Sequence, residues 1–234
     1  MKTLEIFKRQ LLLAHVSGIP LRIDYRWFFV LILLACLTAA YIPTNIVGDS
    51  LARFTLGLLT TVVFFVSIFL HELAHAVVAR MEKIEVVEIV LHPFGGLARF
   101  RHAPDTPRAE FRIAIAGPAA SLLLSMVFLI ATIFFNSLGE NVVSPLVFLL
   151  FLWNLLLAVF NLLPGYPLDG GRVLRAFLWN RGRDLNEATI MTGRAGQIIA
   201  VTLMVIGLLI TLIRGDIFTG LWTVVIGSFL FLDK

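Results

Sequence analysis

His71, Glu72 and His75 place three ionisable side chains within five positions, in the order His-Glu-Leu-Ala-His. On an α-helix, residues i and i+4 project from the same face, so both imidazoles can bind one metal ion. Glu72 then stands beside that ion, close enough to take a proton from a water the metal has polarised. The pattern falls in the last third of Phe54–Met81, an apolar run long enough to cross a bilayer. About 20 apolar residues at about 1.5 Å each match a hydrocarbon core of about 30 Å. Charge and lone pairs are costly in lipid, so ionisable residues at that depth mark function. A buried hydrogen-bonded cluster is the plainer explanation, but a Ser or Asn would serve it at lower cost.

Zinc in a hydrolytic site usually takes three protein ligands and leaves the fourth position to water. Asp169 is the candidate for the third. It lies in a break after a long apolar run, where two prolines and three glycines within Pro164–Gly171 are expected to preclude a helix. Gly170 and Gly171 would let the chain turn there, and Pro164 and Pro167 would stiffen the approach. Asp followed by Gly also suits an ordinary turn or helix cap. Spacing alone leaves both readings of Asp169 open.

The elements that must position these groups are apolar. The 234 residues are 59% hydrophobic and 15% charged, which excludes an ordinary soluble domain. The expected fold is an all-α polytopic membrane protein with about six transmembrane helices. They are placed at Trp27–Ile42, Phe54–Met81, Phe111–Phe135, Val142–Leu163, Gln197–Ile213 and Phe218–Leu232. A weakly amphipathic lead and a short strand near Leu21–Tyr25 precede the first. Between spans two and three, Ile84–Arg101 is too charged to span. Its β-branched runs flank the turn His92-Pro93-Phe94-Gly95-Gly96, which reads as a small β-hairpin. In span three, the small residues of Ala116–Ser121 permit another helix to approach closely, and Pro118 is expected to kink it. Val173–Trp179 reads as a short interfacial helix followed by a basic loop to about Arg194. Spans five and six, with no titratable side chain inside, read as packing elements.

The lone Cys36 permits no intrachain disulfide. Lys and Arg outnumber acids by 19 to 15, yet in a membrane protein their location matters more than their sum, and nucleic acid is not implied. With the N-terminus inside, seventeen basic residues are cytoplasmic against two outside. That places the His-bearing end of span two and Asp169 at the same cytoplasmic face.

Three blocks now stand together: His71-Glu72-Leu73-Ala74-His75, the Ala116-Gly117-Pro118 run, and Asn161-Leu162-Leu163-Pro164 with Pro167-Leu168-Asp169-Gly170-Gly171. In these the chain resembles the site-2 protease family of intramembrane zinc metalloproteases. The resemblance covers about residues 54–180, the catalytic core of what is expected to be a single integral-membrane domain over 1–234. It implies that His71, His75 and Asp169 bind one Zn2+ per chain and that Glu72 is the general base. Asn161 matches a position that contacts substrate or transition state. Phe94-Gly95-Gly96 looks like the family's Gly-containing hairpin, which makes Gly95 and Gly96 candidate substrate-binding residues. The implied reaction is hydrolysis of a peptide bond in or near the transmembrane segment of a membrane-anchored regulator, such as an anti-sigma factor or a transcription-factor precursor. Neither a PDZ module nor a CBS pair is recognisable, so regulation through such domains is not expected. A transporter or non-catalytic zinc-binding membrane protein is the competing class. A permeation route needs polar residues at several depths, and spans one, five and six offer almost none.

Overall fold

The computed structural model describes residues 10–16, 18–92 and 95–232. They form two compact units, one falling within Met1–Ala103 and Ala116–Ala158, the other within Pro104–Ile115 and Val159–Lys234.

The first unit is organised by α2 (Ser50–Met81), 32 residues long and started by Asp49, whose carboxylate accepts from the backbone N–H groups of Leu51 and Ala52. Gly57, Thr60, Thr61, Ser67, His71, Glu72, His75, Ala76 and Ala79 are all buried on it. That spacing of three and four is one face of a helix, and it carries the small and polar side chains. Helices with no hydrophobic drive between them pack through such residues. Against this face α1 (Arg26–Tyr41) approaches at Gly57, where a Cβ would overlap the Ala35 carbonyl and lie 2.9 Å from the Ala39 nitrogen. Trp27 packs on Phe65 with ring centroids 3.6 Å apart. Helix α3 (Pro107–Ser137) begins in the second unit and runs on through the first, with Pro118 inside it and not ending it. From α4 (Val143–Asn161), Trp153 packs on Phe64 at 4.9 Å, and the buried Asn154 amide donates to Ser67 Oγ at 3.3 Å.

A four-stranded sheet completes this unit, in the order β1 (Gln10–Val16), β2 (Ile19–Asp24), β3 (Val86–His92), β4 (Gly95–Phe100). β1–β2 and β3–β4 are antiparallel, while β2 runs parallel to β3 through Leu21–Ile23 and Ile89–Leu91. The expected lone hairpin is therefore half of a larger sheet, and the amphipathic lead contributes a strand. Local periodicity carries no information about a partner more than sixty residues away, which is why the joining pairs were not visible in it. Glu88, buried in β3, is held by Arg22 at 2.9 Å and Arg99 at 2.7 Å, so two further strands neutralise it. Pro93 and Phe94, the tip of the expected turn, lie outside the described residues.

In the second unit, α5 (Asp169–Asn180) leads through a four-residue connection to α6 (Leu185–Leu209), a π-helical turn at Ile210–Arg214, and α7 (Ile217–Leu232). Two expectations fail here. The basic loop to Arg194 is helix: the Asp184 side chain accepts from the Asn186 N–H and starts α6 three turns before its apolar part. The break after α4 ends at Leu168, because Gly170 and Gly171 sit inside the first turn of α5. They do not turn the chain. A Cβ at 170 would overlap the Leu162 and Leu163 carbonyls, and one at 171 would lie 2.5 Å from the Gly165 carbonyl carbon. Both are glycine because the helix start lies against the backbone that leads into it. The Arg175 guanidinium binds the fully buried Glu110 carboxylate, with Nε at 2.8 Å from Oε1, and ties α5 to the first turn of α3.

Among the described residues, four helices are long and apolar enough to cross a membrane: Ser50–Met81, Pro107–Ser137, Val143–Asn161 and Leu185–Arg214. Helices α1 and α7 have 16 residues each, about 24 Å at 1.5 Å per residue, short of a core of about 30 Å. Large apolar side chains such as Leu123, Met126, Ile130, Ile133 and Phe134 are exposed along α3, the surface a lipid solvent requires. The chain is a membrane protein.

Candidate metal centre

His71 and His75 lie one turn apart on the buried face of α2, each 3% exposed. Their Nε2 atoms are 3.3 Å apart, with the rings at 76° to each other. Two nitrogens at about 2.0–2.1 Å from a tetrahedral ion stand roughly 3.3 Å apart, so the pair has the bite that zinc requires. The second face of the pocket is Gly117 of α3. A Cβ there would overlap both imidazoles, 2.6 Å from Nε2 of His71. The absent side chain leaves free the space beside both Nε2 atoms. One turn further along α3, Ser121 Oγ lies 2.9 Å from His71 Nδ1. With the Nε2 lone pair turned toward an ion, Nδ1 carries the proton and donates to Ser121. That fixes the ring's tautomer and orientation, the role that outer partners of metal-ligating histidines fill. Gly117 and Ser121 are i and i+4, so their shared face could have been read from the small-residue run. What that run could not say is which helix they meet.

Glu72 is 8% exposed on the same turn of α2. Gly96 of β4 packs on it, since a Cβ at 96 would overlap the Glu72 side chain and fall 2.7 Å from Oε1. The carboxylate therefore has room only because β4 brings bare backbone to it. Gly95 pairs with His92 at the start of the same strand. Of the residues singled out from sequence, the first unit thus brings together His71, Glu72, His75 and Gly96, and adds Gly117 and Ser121.

The second unit holds the other two. Asn161 is the last residue of α4 and is partly buried. Asp169 is the first residue of α5, its side chain 13% exposed and 3.9 Å from Arg172 Nη1. The cap of that helix is Leu168, which makes no side-chain cap bond, so Asp169 is not the capping residue that an Asp-Gly pair suggests. An anionic side chain in a helix's first turn is favoured by the aligned peptide dipoles.

The model for peptidase family M50 matches residues 59–142 and 133–206, more than half of the chain and both of the units that carry the candidate residues. The chain belongs to that family. Rip3 of Mycobacterium tuberculosis is 37% identical over 225 residues, covering 94% of this chain and 56% of that protein. The zinc metalloprotease MJ0392 of Methanocaldococcus jannaschii is 34% identical over 197 residues, covering 84% and 53%. The chain spans about half the length of these relatives. The site-2 protease structure from Methanocaldococcus jannaschii superposes with a TM-score of 0.65 at 28% identity, covering 96% of this chain and 93% of that one. The site-2 protease type expected from the three sequence blocks is thus the type the family members and the fold share.

Proposed function

We propose that this chain is an intramembrane zinc endopeptidase that cuts a membrane-anchored protein in or near its transmembrane segment. The observation that carries this is the 3.3 Å pair of histidine nitrogens with Glu72 on the same buried turn, in a chain of family M50. His71 and His75 bind the metal through Nε2, and Asp169 supplies the third ligand. When bound, zinc contributes Lewis-acid chemistry, polarising a carbonyl and lowering the pKa of water to about 7. Glu72 takes the proton from the attacking water. As water oxygen bonds to the scissile carbonyl carbon and the C–N bond breaks, Glu72 returns that proton to the leaving amine nitrogen. The Asn161 amide donates to the carbonyl oxygen as negative charge builds there. Burial of Glu72 under Gly96 keeps bulk water from competing for its carboxylate.

A helical substrate must unwind before its amide can be attacked, and unpaired amides in lipid cost several kcal/mol each. β4 is an edge strand among the described residues and lies directly on Glu72. An extended substrate segment adding to that edge by main-chain hydrogen bonds would satisfy its own amides beside the base. Six membrane passages, with α1 and α7 as the two short ones, are proposed from the apolar runs, and the distribution of Lys and Arg supports a cytoplasmic N-terminus and active-site face. The substrates proposed for this chain are single-span regulators such as anti-sigma factors or transcription-factor precursors.

Glu72→Gln tests the assignment. The variant is expected to hold near-stoichiometric zinc and to lose turnover of a membrane substrate by several orders of magnitude. Loss of zinc and turnover together would make Glu72 a ligand or a structural residue. Retention of turnover would remove it from the reaction.

A further inference from the structure

The segment 162–168 leads into Asp169, and one turn of α6 lies against it. Tyr166 is the point of contact. Its backbone N–H donates to the Thr192 carbonyl at 3.2 Å, and its own carbonyl oxygen lies where a Cβ at Gly196 would overlap it. Thr192 and Gly196 are i and i+4, so both backbone groups of Tyr166 rest on a single turn of α6. Thr192 is fully buried, and its hydroxyl donates to the Thr189 carbonyl at 2.9 Å. Gly165 meets the same turn: a Cβ there would lie 2.5 Å from Cα of Gly196 and 2.7 Å from its nitrogen.

From that contact to Asp169 the chain has no slack. The Gly165 carbonyl accepts from the Leu168 N–H at 3.0 Å, and Leu168 is the cap residue of α5, next to Asp169. The Leu168 carbonyl in turn accepts from the Gly171 N–H at 3.0 Å. A Cβ at Gly171 would lie 2.5 Å from both the Gly165 carbonyl carbon and the Tyr166 nitrogen. Bare backbone is therefore stacked three deep: a turn of α6, the Gly165–Tyr166 peptide, and the first turn of α5. Close-packed interiors transmit strain, so a displacement imposed at Gly196 reaches Asp169 by direct contact. A Cβ at 196 would have to retreat by more than about 1 Å to reach an ordinary non-bonded separation from the Tyr166 oxygen. Metal sites hold their ligand distances to within about 0.2 Å. The shift that one methyl group forces is several times larger than the site tolerates.

We infer that Gly196 is a positioning residue for the metal centre: α6 seats the Gly165–Tyr166 peptide, and that seat sets the place of the Asp169 carboxylate. The inference rests on the reading of Asp169 as the third ligand. It gives α6, whose apolar part carries no titratable side chain, a role in metal binding beyond packing.

Three alanine variants of α6 separate positioning from packing. Gly193→Ala adds a methyl group where nothing among the described residues lies within 4 Å. Gly207→Ala adds one that would lie 2.6 Å from the Gly220 carbonyl oxygen of α7, about three turns from Gly196. Gly196→Ala adds the one that meets Tyr166. The purified chain in detergent is loaded with Co2+, which takes nitrogen and oxygen sites in place of zinc and whose visible absorption reports ligand number and geometry. Zinc affinity is measured alongside by chelator competition. Gly196→Ala should change the cobalt spectrum in the same direction as Asp169→Ala and weaken zinc binding about ten- to a hundredfold, the range for groups that orient metal ligands. Gly207→Ala should lower the thermal stability of the metal-free protein yet keep the wild-type spectrum and affinity. Gly193→Ala should alter none of the three. A wild-type spectrum and affinity in folded Gly196→Ala, where Asp169→Ala changes both, would overturn the inference. So would an equal loss of zinc affinity in Gly207→Ala, because any overpacking of α6 would then suffice. A wild-type spectrum in Asp169→Ala would instead overturn the reading of Asp169 as a ligand, and the inference with it. Should Gly196→Ala not fold, the wild-type chain decides. Coupling between sites is reciprocal, so zinc must steady the contact that steadies its ligand. Hydrogen exchange should slow on zinc loading at 162–171 and at 189–197 but not at 205–214, and no slowing at 189–197 overturns the inference.

Discussion

At the scale of single residues, the centre depends as much on atoms that are missing as on those present. Gly117 and Gly96 each occupy a place where one methyl group would meet a proposed reacting side chain. Gly117→Ala is expected to abolish metal binding while leaving the helices folded, because the new carbon would sit where the two Nε2 atoms converge. Zinc content after dialysis, with helicity by circular dichroism as the control, checks this; full occupancy would mean the histidines open away from α3 to bind. Ser121→Ala takes away only the acceptor for His71 Nδ1–H. Loss of such an outer partner typically weakens metal affinity or activity about ten- to a hundredfold. Ser121→Thr, which keeps the hydroxyl, should recover most of that loss. An alanine variant with wild-type zinc affinity and turnover would show that packing alone orients the ring.

At the scale of elements, the helix face that carries the histidines was readable because its signal is local. The spacing of His71, Glu72 and His75 against a long apolar run needs only one helix to be interpreted. The sheet was half readable: alternation located β2 and the β3–β4 segment, but the parallel pairing of Leu21–Ile23 with Ile89–Leu91 is a long-range fact. That pairing changes what a proline scan can test. β3 is bonded on both sides, so proline there would break the sheet itself. β4 has one side free among the described residues, and only alternate amides of an edge strand point outward. Proline placed in turn at Leu97, Ala98, Arg99 and Phe100 should therefore abolish cleavage at alternate positions while zinc is retained. If all four zinc-loaded variants cut at the wild-type rate, substrate does not add to this edge.

At the scale of the whole molecule, the chain divides into two units, and the proposed ligands come from both. Asp169 is where sequence was least able to decide, since Asp-Gly serves turns, caps and metal sites alike. The fold removes the cap, because Leu168 holds that position, and it shows why two glycines follow: α5 starts hard against the backbone of 162–165. Two explanations for the carboxylate remain, and they differ in size and kind. A first-turn aspartate interacting with the helix dipole contributes roughly 0.3–1 kcal/mol to stability and nothing to metal binding. A third zinc ligand contributes little to α5 itself but much to affinity. Asp169→Ala should therefore weaken zinc binding at least about tenfold in competition with a chelator, with only a small loss in thermal stability of the metal-free protein. A variant that keeps full zinc under chelator and loses only stability would reduce Asp169 to a helix-start residue, and the third ligand would have to be sought elsewhere. If instead zinc affinity falls and wild-type protein is stabilised by added zinc where Asp169→Ala is not, one ion holds ligands from both units. Metal loading would then be the step that completes the catalytic centre, and chelation would disable it without unfolding either unit.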